Sequence, residues 1–314
     1  MGAVKVSVDN FERAETAKMF DGTLQITGGI NELFHFRGPT PIDKQTVIRM
    51  NRDTLYSAAI VDISQGATLT LPETDGRYLT IMVVNEDHYI NKVLSAPGEH
   101  SITMDEYDTP FVDLAVRILV DPSDPDDVAT VNALQDAIVL KAASSKPYEH
   151  PDYDQDSLDE TRELLLALSK GLPDARDHFG RREDVDPIRH MTGTAAGWGG
   201  LPENEAFYYI ETAPIQVGQF KMSLKDVPVD AFWSVTVYNR DGYLEENEYG
   251  SYSVNSVTAQ RDDDGSVTVN LAPEKGDLSN YLYVMDGWNY ALRLYRPRTE
   301  ILDGSWVPPK PEPI

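Results

Sequence analysis

Residues Ala231 to Asn239, Ala-Phe-Trp-Ser-Val-Thr-Val-Tyr-Asn, alternate strictly. Ala231, Trp233, Val235 and Val237 fall on one side of a strand and are wholly apolar, so that side must face a core. Phe232, Ser234, Thr236 and Tyr238 fall on the other side, where rings and hydroxyls mix. That is the composition of a wall that can contact a polar ligand.

Most of the other strong strand patterns lie before and after this one. Thr46 to Met50, Ala58 to Ile63, Ala67 to Leu71 and Tyr78 to Asn85 read as strands separated by turn residues, and His88 to Val93, His100 to Met104 and Phe111 to Val120 extend the series. A helix is expected over Asn10 to Phe20, in a segment broken by Gly28-Gly29. A second opens at Asp124-Pro125, a capping residue followed by proline, and is expected to run to about Ala143. Ser157-Leu158-Asp159-Glu160 is a capping box, predicting a helix from Leu158 to Lys170 that Gly171 and Pro173 stop. Arg181 to Arg189 reads as a charged connection.

The final β region is expected to begin near Gly197-Trp198-Gly199-Gly200. Tyr252 to Thr258 and Ser266 to Leu271 predict a hairpin closed by Asp264-Gly265. In Asn289 to Tyr295, Tyr290, Leu292 and Leu294 point inward, and Arg293 and Tyr295 point to the opposite face. The fold class that follows is mainly β with a helical insert: two antiparallel β-sandwich, jelly-roll-like domains bridged by helices. The expected limits are 1–120 for the first β domain with its leading helix, 121–190 for the helical connector and 191–314 for the second sandwich.

Charge changes the picture of partners. The 314 residues carry 52 acidic and 27 basic side chains, a net charge of −25, which disfavours a nucleic-acid partner. No apolar run is long enough to span a bilayer, so no membrane partner is expected. The first residues lack the apolar core of a secretory signal, so a cytoplasmic location is expected. There are no cysteines, which excludes disulfides, thiolate metal sites and a cysteine nucleophile. No cofactor or metal is indicated. A homo-oligomer is one expected assembly, through exposed β edges.

Four stretches could carry chemistry. Asn51-Arg52-Asp53-Thr54-Leu55-Tyr56 crowds an amide, a guanidinium, a carboxylate, a hydroxyl and a phenol after a short strand. It could form a polar site, or be a turn in which Arg52 and Asp53 pair. Asp87 and His88 could be a base and its orienting partner, two metal ligands, or a polar connection between strands; cooperation requires that the backbone turn there. Trp198 is either a stacking platform or an indole closing the core. Arg293 and Tyr295, with Arg296 and Arg298 beyond, could bind an anion or pair with surface acids.

Two segments resemble known families. Asn51-Arg52-Asp53-Thr54-Leu55-Tyr56, with Gly76-Arg77-Tyr78 and Asp87, resembles domain-of-unknown-function family 1254. Ala231 to Asn239, Asp264-Gly265-Ser266, Leu292 to Pro297 and Leu302 to Pro309 resemble family 1214. Asn280-Tyr281-Leu282-Tyr283 departs from the usual Asn-Trp-Leu-Pro. The resemblance implies two β-rich sandwich-like domains and brings no reaction.

The functional expectation is a hydrolase or lyase acting on a polar or anionic, carbohydrate-like small molecule in a cleft between the β domains. Asp53 or His88 would be the base, Arg52 or Arg293 would hold an anionic group, and Tyr56 or Tyr238 would donate a proton. Asn51, Asp87, Trp198, Tyr238, Arg293 and Tyr295 complete the expected binding surface. The alternative is a ligand-binding or assembly protein without chemistry.

Overall fold

A computed structural model describes residues 2–45, 48–172 and 174–314 of the chain. It is mostly β, with several antiparallel sheets. The chain divides into two compact units, each built from separated segments. Unit 1 holds Met1–Arg37, Leu55–Leu119 and Asp126–Glu203; unit 2 holds Gly38–Thr54, Val120–Pro125 and Asn204–Ile314.

Unit 1 opens with α1 (Phe11–Thr27), which ends where Gly28 takes a left-handed conformation at φ 85°. A sheet in the order β1-β2-β7-β4-β5 follows, from Phe34–His35, Thr54–Asp62, Phe111–Leu119, Leu79–Asn85 and Ile90–Leu94. Every residue of β4 is buried, as expected of a central strand covered on both faces. A smaller sheet, β6-β3-β8, joins Gly98–Ile102, Ala67–Leu71 and Val139–Ala142. The helices are α2 (Met104–Tyr107), α3 (Pro125–Asp136), α4 (Gln155–Ser169) and α5 (Pro187–Gly197). Phe20 of α1 packs on Ile60 and Phe111 of the larger sheet, while Phe11 and Ala14 pack against Leu158 and Leu165 of α4.

Unit 2 is a sandwich. One sheet runs β12-β11-β15-β9, from Ser253–Asn255, Trp233–Tyr238, Trp288–Tyr295 and Ala206–Ile215. The other runs β14-β13-β10-β16, from Tyr281–Tyr283, Val267–Ala272, Phe220–Leu224 and Glu312–Pro313. A short helix, α6 (Thr299–Leu302), follows β15. Trp233, Val235, Val237, Leu292 and Leu294 from the first sheet meet Met222, Leu224, Val267, Val269, Leu271 and Leu282 from the second in one core. The apolar side of the 231–239 alternation is thus the inner face of a sandwich, and its mixed side faces away from that core.

Local patterning misled at several points. The helix expected to reach about Ala143 ends at Asp136, and Val139–Ala142 is a strand that pairs with β3. The cap of α4 is Asp154, whose side chain accepts from the Ser157 amide; the Ser157 box does not open the helix. Part of the connection expected over Arg181 to Arg189 and the glycines before Trp198 belong to α5, capped by Asp186 with Pro187 in its first turn. The expected hairpin does not form: β12 pairs with β11 and β13 pairs with β10 and β14, so the chain crosses from one sheet to the other between them. Of the strand expected over Thr46 to Met50, Thr46 and Val47 lie outside the described residues, and Ile48 and Arg49 form a turn.

Gly200 lies where a side chain would strike the Phe179 ring, 2.6 Å from Cζ. Gly200→Ala should therefore lower stability by about 1–3 kcal/mol through overpacking. A lowered urea midpoint with unchanged slope would show it, and an unshifted midpoint would refute it.

Candidate functional site

The outer face of the β11–β15 pair carries the polar chemistry of unit 2. Register sets Ser234 opposite Arg293 and Thr236 opposite Ala291. Arg293 is only 5% exposed. Its Nη1 donates to Thr236 Oγ1 at 2.9 Å, and its Nη2 donates to Arg49 O at 2.7 Å and to Tyr238 OH at 2.6 Å. The Tyr238 hydroxyl then donates to Met50 O at 3.0 Å. Burial works against the Arg293 charge, but Tyr238, Tyr295 and Asp53 outweigh it and hold the guanidinium protonated. Burial pushes the Tyr238 phenol up, so it stays a neutral donor.

The network leads to Asp53. Thr236 Oγ1 donates to Ser253 Oγ at 3.2 Å, and Ser253 Oγ donates to Asp53 Oδ1 at 2.6 Å. Asn51 braces the same turn. Its Oδ1 accepts from the Asp53 amide at 2.8 Å and its Nδ2 donates to Tyr295 OH at 3.2 Å. Asp53 is 1% exposed, yet its second oxygen, Oδ2, has no hydrogen-bond partner among the described residues. A buried carboxylate oxygen left bare is costly, and in a native protein it calls for a reason.

Asp53 lines a cavity of about 500 Å3, within the range of small-molecule sites. Arg52 forms another part of the wall. Its Nη1 donates to Thr40 O at 2.6 Å and its guanidinium lies 5.1 Å over the Tyr252 ring. Arg52 and Asp53 do not form an ion pair, and no other carboxylate pairs with Arg52 among the described residues. Burial lowers the proton affinity of Arg52, opposed only by Tyr252. The rest of the wall mixes polar Ser123, Asn255 and Thr258 with Pro122 and Tyr249.

Asn51, Arg52, Asp53, Tyr238, Arg293 and Tyr295 therefore come together in unit 2. Tyr56, Asp87, His88 and Trp198 lie in unit 1. The backbone does turn at His88, with φ 65°, but the ring is fully buried. Its Nδ1 lies 2.7 Å from Thr194 Oγ1 and its Nε2 accepts from the Gly199 amide at 2.9 Å. Burial, with help from His190, pushes its pKa well below the usual range, so the ring is neutral. Both nitrogens are engaged, which leaves none for substrate. Asp87 pairs with Arg13 at 2.7 Å. Trp198 donates to Thr16 at 3.1 Å and stacks on His88 at 5.2 Å, the geometry of an indole closing a core. Tyr56 lies under the Arg117 guanidinium at 5.7 Å. Of the Arg293 flank, Arg298 pairs with Asp230 at 2.7 Å at the surface, and Arg296 lies 3.9 Å from the partly buried Glu205.

Sequence reasoning missed Ser253 and Tyr252 as parts of the site, and gave Thr236 only a place on the mixed face of its strand. The hydroxyl face of the 231–239 strand was the available signal for Thr236. Ser253 and Tyr252 were read as part of a hairpin and so were placed in the wrong sheet. No group of three or more His, Asp or Glu among the described residues is arranged to hold a metal ion. No helix among them is long and apolar enough to cross a membrane.

Residues 30–142 match the family model described as protein of unknown function DUF1254, and residues 216–299 match that described as protein of unknown function DUF1214. The two matches stand in tandem. The DUF1214 match takes in β11 and β15, and the DUF1254 match takes in Arg52 and Asp53, so the network draws on both. The crystal structure of the VPA0106 protein from Vibrio parahaemolyticus shares the fold at a TM-score of 0.77 and 19% identity, covering 98% of this chain and 97% of that one. A putative uncharacterized protein from Burkholderia cenocepacia aligns at a TM-score of 0.54 and 14% identity, over 97% of this chain and 86% of that one. At these identities the likeness concerns the fold alone. No curated protein matches the chain.

Proposed function

We propose that the chain is an enzyme of the hydrolase or lyase type, acting on a polar small molecule in the unit 2 cavity. The observation that carries this reading is the bare Oδ2 of Asp53, buried at the cavity wall and backed by the Arg293–Thr236–Ser253 network. Ser253 fixes one carboxylate oxygen, Oδ1, and so restrains the carboxylate, which is what a general base requires. Arg52 supplies positive charge in the same wall for an anionic group on the substrate or for charge that develops during reaction. Tyr252 holds that guanidinium from beneath.

The test is turnover on a panel of esters, glycosides and hydroxy acids. For any compound turned over, Asp53→Asn should lower kcat by about 100-fold or more, the usual contribution of a positioned base. Equal turnover by wild type and variant would refute the role given to Asp53.

A second reading is a binding protein without chemistry. It is favoured by the location of the other expected base, His88, in unit 1 with both nitrogens engaged. Under that reading the panel yields bound compounds and no products.

A further inference from the structure

Arg52 lines the cavity without a carboxylate partner, and Asp53, which also lines it, has a buried Oδ2 without a hydrogen-bond partner among the described residues; together these specify a ligand. Asp53 Oδ2 can only accept, so the ligand must present a donor there, a hydroxyl or an amine. Arg52 makes one hydrogen bond to a backbone carbonyl and otherwise rests on a ring face, so most of its five donors are available to an oxyanion. Neither Asp53 nor Asp121, which also lines the cavity, is paired with it; Asp121 accepts instead from the Ser123 amide and hydroxyl. Ser123, Asn255 and Thr258 add neutral polar groups, which suit several hydroxyls, beside the less polar Pro122, Tyr249 and Tyr252.

We infer that the cavity selects a polyhydroxylated carboxylic acid of the sugar-acid class, with its carboxylate on Arg52 and a hydroxyl on Asp53 Oδ2. This rests on the reading of the same cavity as the active site and adds the substrate class to it. The anion is a carboxylate because its two oxygens match the guanidinium fork, and because a dianionic phosphate would bring a second negative charge beside Asp53 with Arg52 as the one arginine among the described lining residues. A hydroxyl is preferred to an ammonium because a second cation in the cavity would repel Arg52 and pull the carboxylate away from it.

The experiment is calorimetric titration of the full chain with D-glucuronate, D-glucose and D-glucose 6-phosphate at low salt. D-Glucuronate should bind about tenfold tighter than either of the others, the effect of one charge-assisted pair. Arg52→Met should erase that preference, and Arg52→Lys, which keeps the charge without the fork, should retain part of it. Melting curves of both variants show that the fold is intact. Equal affinity for glucose and glucuronate, tighter binding of the phosphate, or no binding of any of the three overturns the inference. Glucuronate bound as expected but never converted by any assay would remove the enzymatic reading and leave the ligand class standing. Turnover of a compound without a carboxylate would do the reverse.

Discussion

Replacing Arg293 by Met is expected to lower the free energy of unfolding by about 3–5 kcal/mol, measured by urea denaturation. The guanidinium is buried and answers three acceptors: Thr236 Oγ1, Arg49 O and Tyr238 OH. A methionine fills much of the same volume but leaves these groups without their donor, and the nearby Asp53 charge without the cation that offsets it, in a place that water does not reach. Each hydrogen bond to a charged group is worth roughly 1.5–3 kcal/mol, so the loss of three cannot be small. Arg293→Lys should recover only part of the deficit, because one ammonium on a flexible stem cannot reproduce a planar fork. A Met variant within about 1 kcal/mol of wild type would mean that the network does not organise this face.

The second large effect is a pH dependence in unit 1. Asp113 is fully surrounded, and burial pushes its pKa up to about 7, against the opposing pull of Thr23 and Arg117. Thr23 Oγ1 donates to its Oδ2 at 3.3 Å, and its Oδ1 has no partner among the described residues. In the unfolded chain the same group titrates near 3.9, as an ordinary aspartate does. Between those two values the folded protein holds a proton that the unfolded chain has lost. The stability that Asp113 contributes is therefore full below about pH 4, falls as pH rises to about 7, and is flat above that. Three pK units correspond to roughly 4 kcal/mol, an upper bound for one carboxyl. Other acids titrate in the same window; Glu86 is also raised by burial, with Arg13 opposing. The quantity to follow is thus the difference in unfolding free energy between wild type and Asp113→Asn. It should decline from pH 4 to 7 and then level. A difference that stays constant across that window would show that Asp113 ionises normally.

Part of this architecture was legible in the chain. The alternation at 231–239 gave both faces of β11, and the same rule placed Leu292 and Leu294 inside and Arg293 outside on β15. Period-2 patterns are reliable when one side of a sheet is dry and the other is not. The mostly β character followed from them. What local pattern does not carry is the partner of a strand. Ser253–Asn255 and Val267–Ala272 are neighbours in sequence but lie in different sheets, so reading them as a hairpin misplaced Ser253. The error at Val139–Ala142 has a similar origin. A capped helix has a readable start, but its end at Asp136 depends on the pairing of Val139–Ala142 with β3, about 70 residues upstream.

At the candidate site, the density of polar groups in Asn51-Arg52-Asp53 was visible, as was the place of Arg293 on the side of its strand that faces away from the sandwich core. Their convergence through Thr236 and Ser253 depends on tertiary packing that no spacing along the chain encodes. Asp87 and His88 drew attention for their chemistry, yet Arg13, Thr194 and the Gly199 amide engage them in ways the sequence did not disclose.

The most direct test of the account is ligand-induced stabilisation, because a compound that binds the folded state alone raises the melting temperature. Wild type and Asp53→Asn are melted in parallel with sugars, sugar acids, hydroxy acids and amines, each at several concentrations. The account predicts that at least one compound raises the melting temperature of wild type in a saturable way and that the folded Asn variant loses this shift. Equal shifts in both proteins for every stabilising compound, or no saturable shift at all, would contradict it.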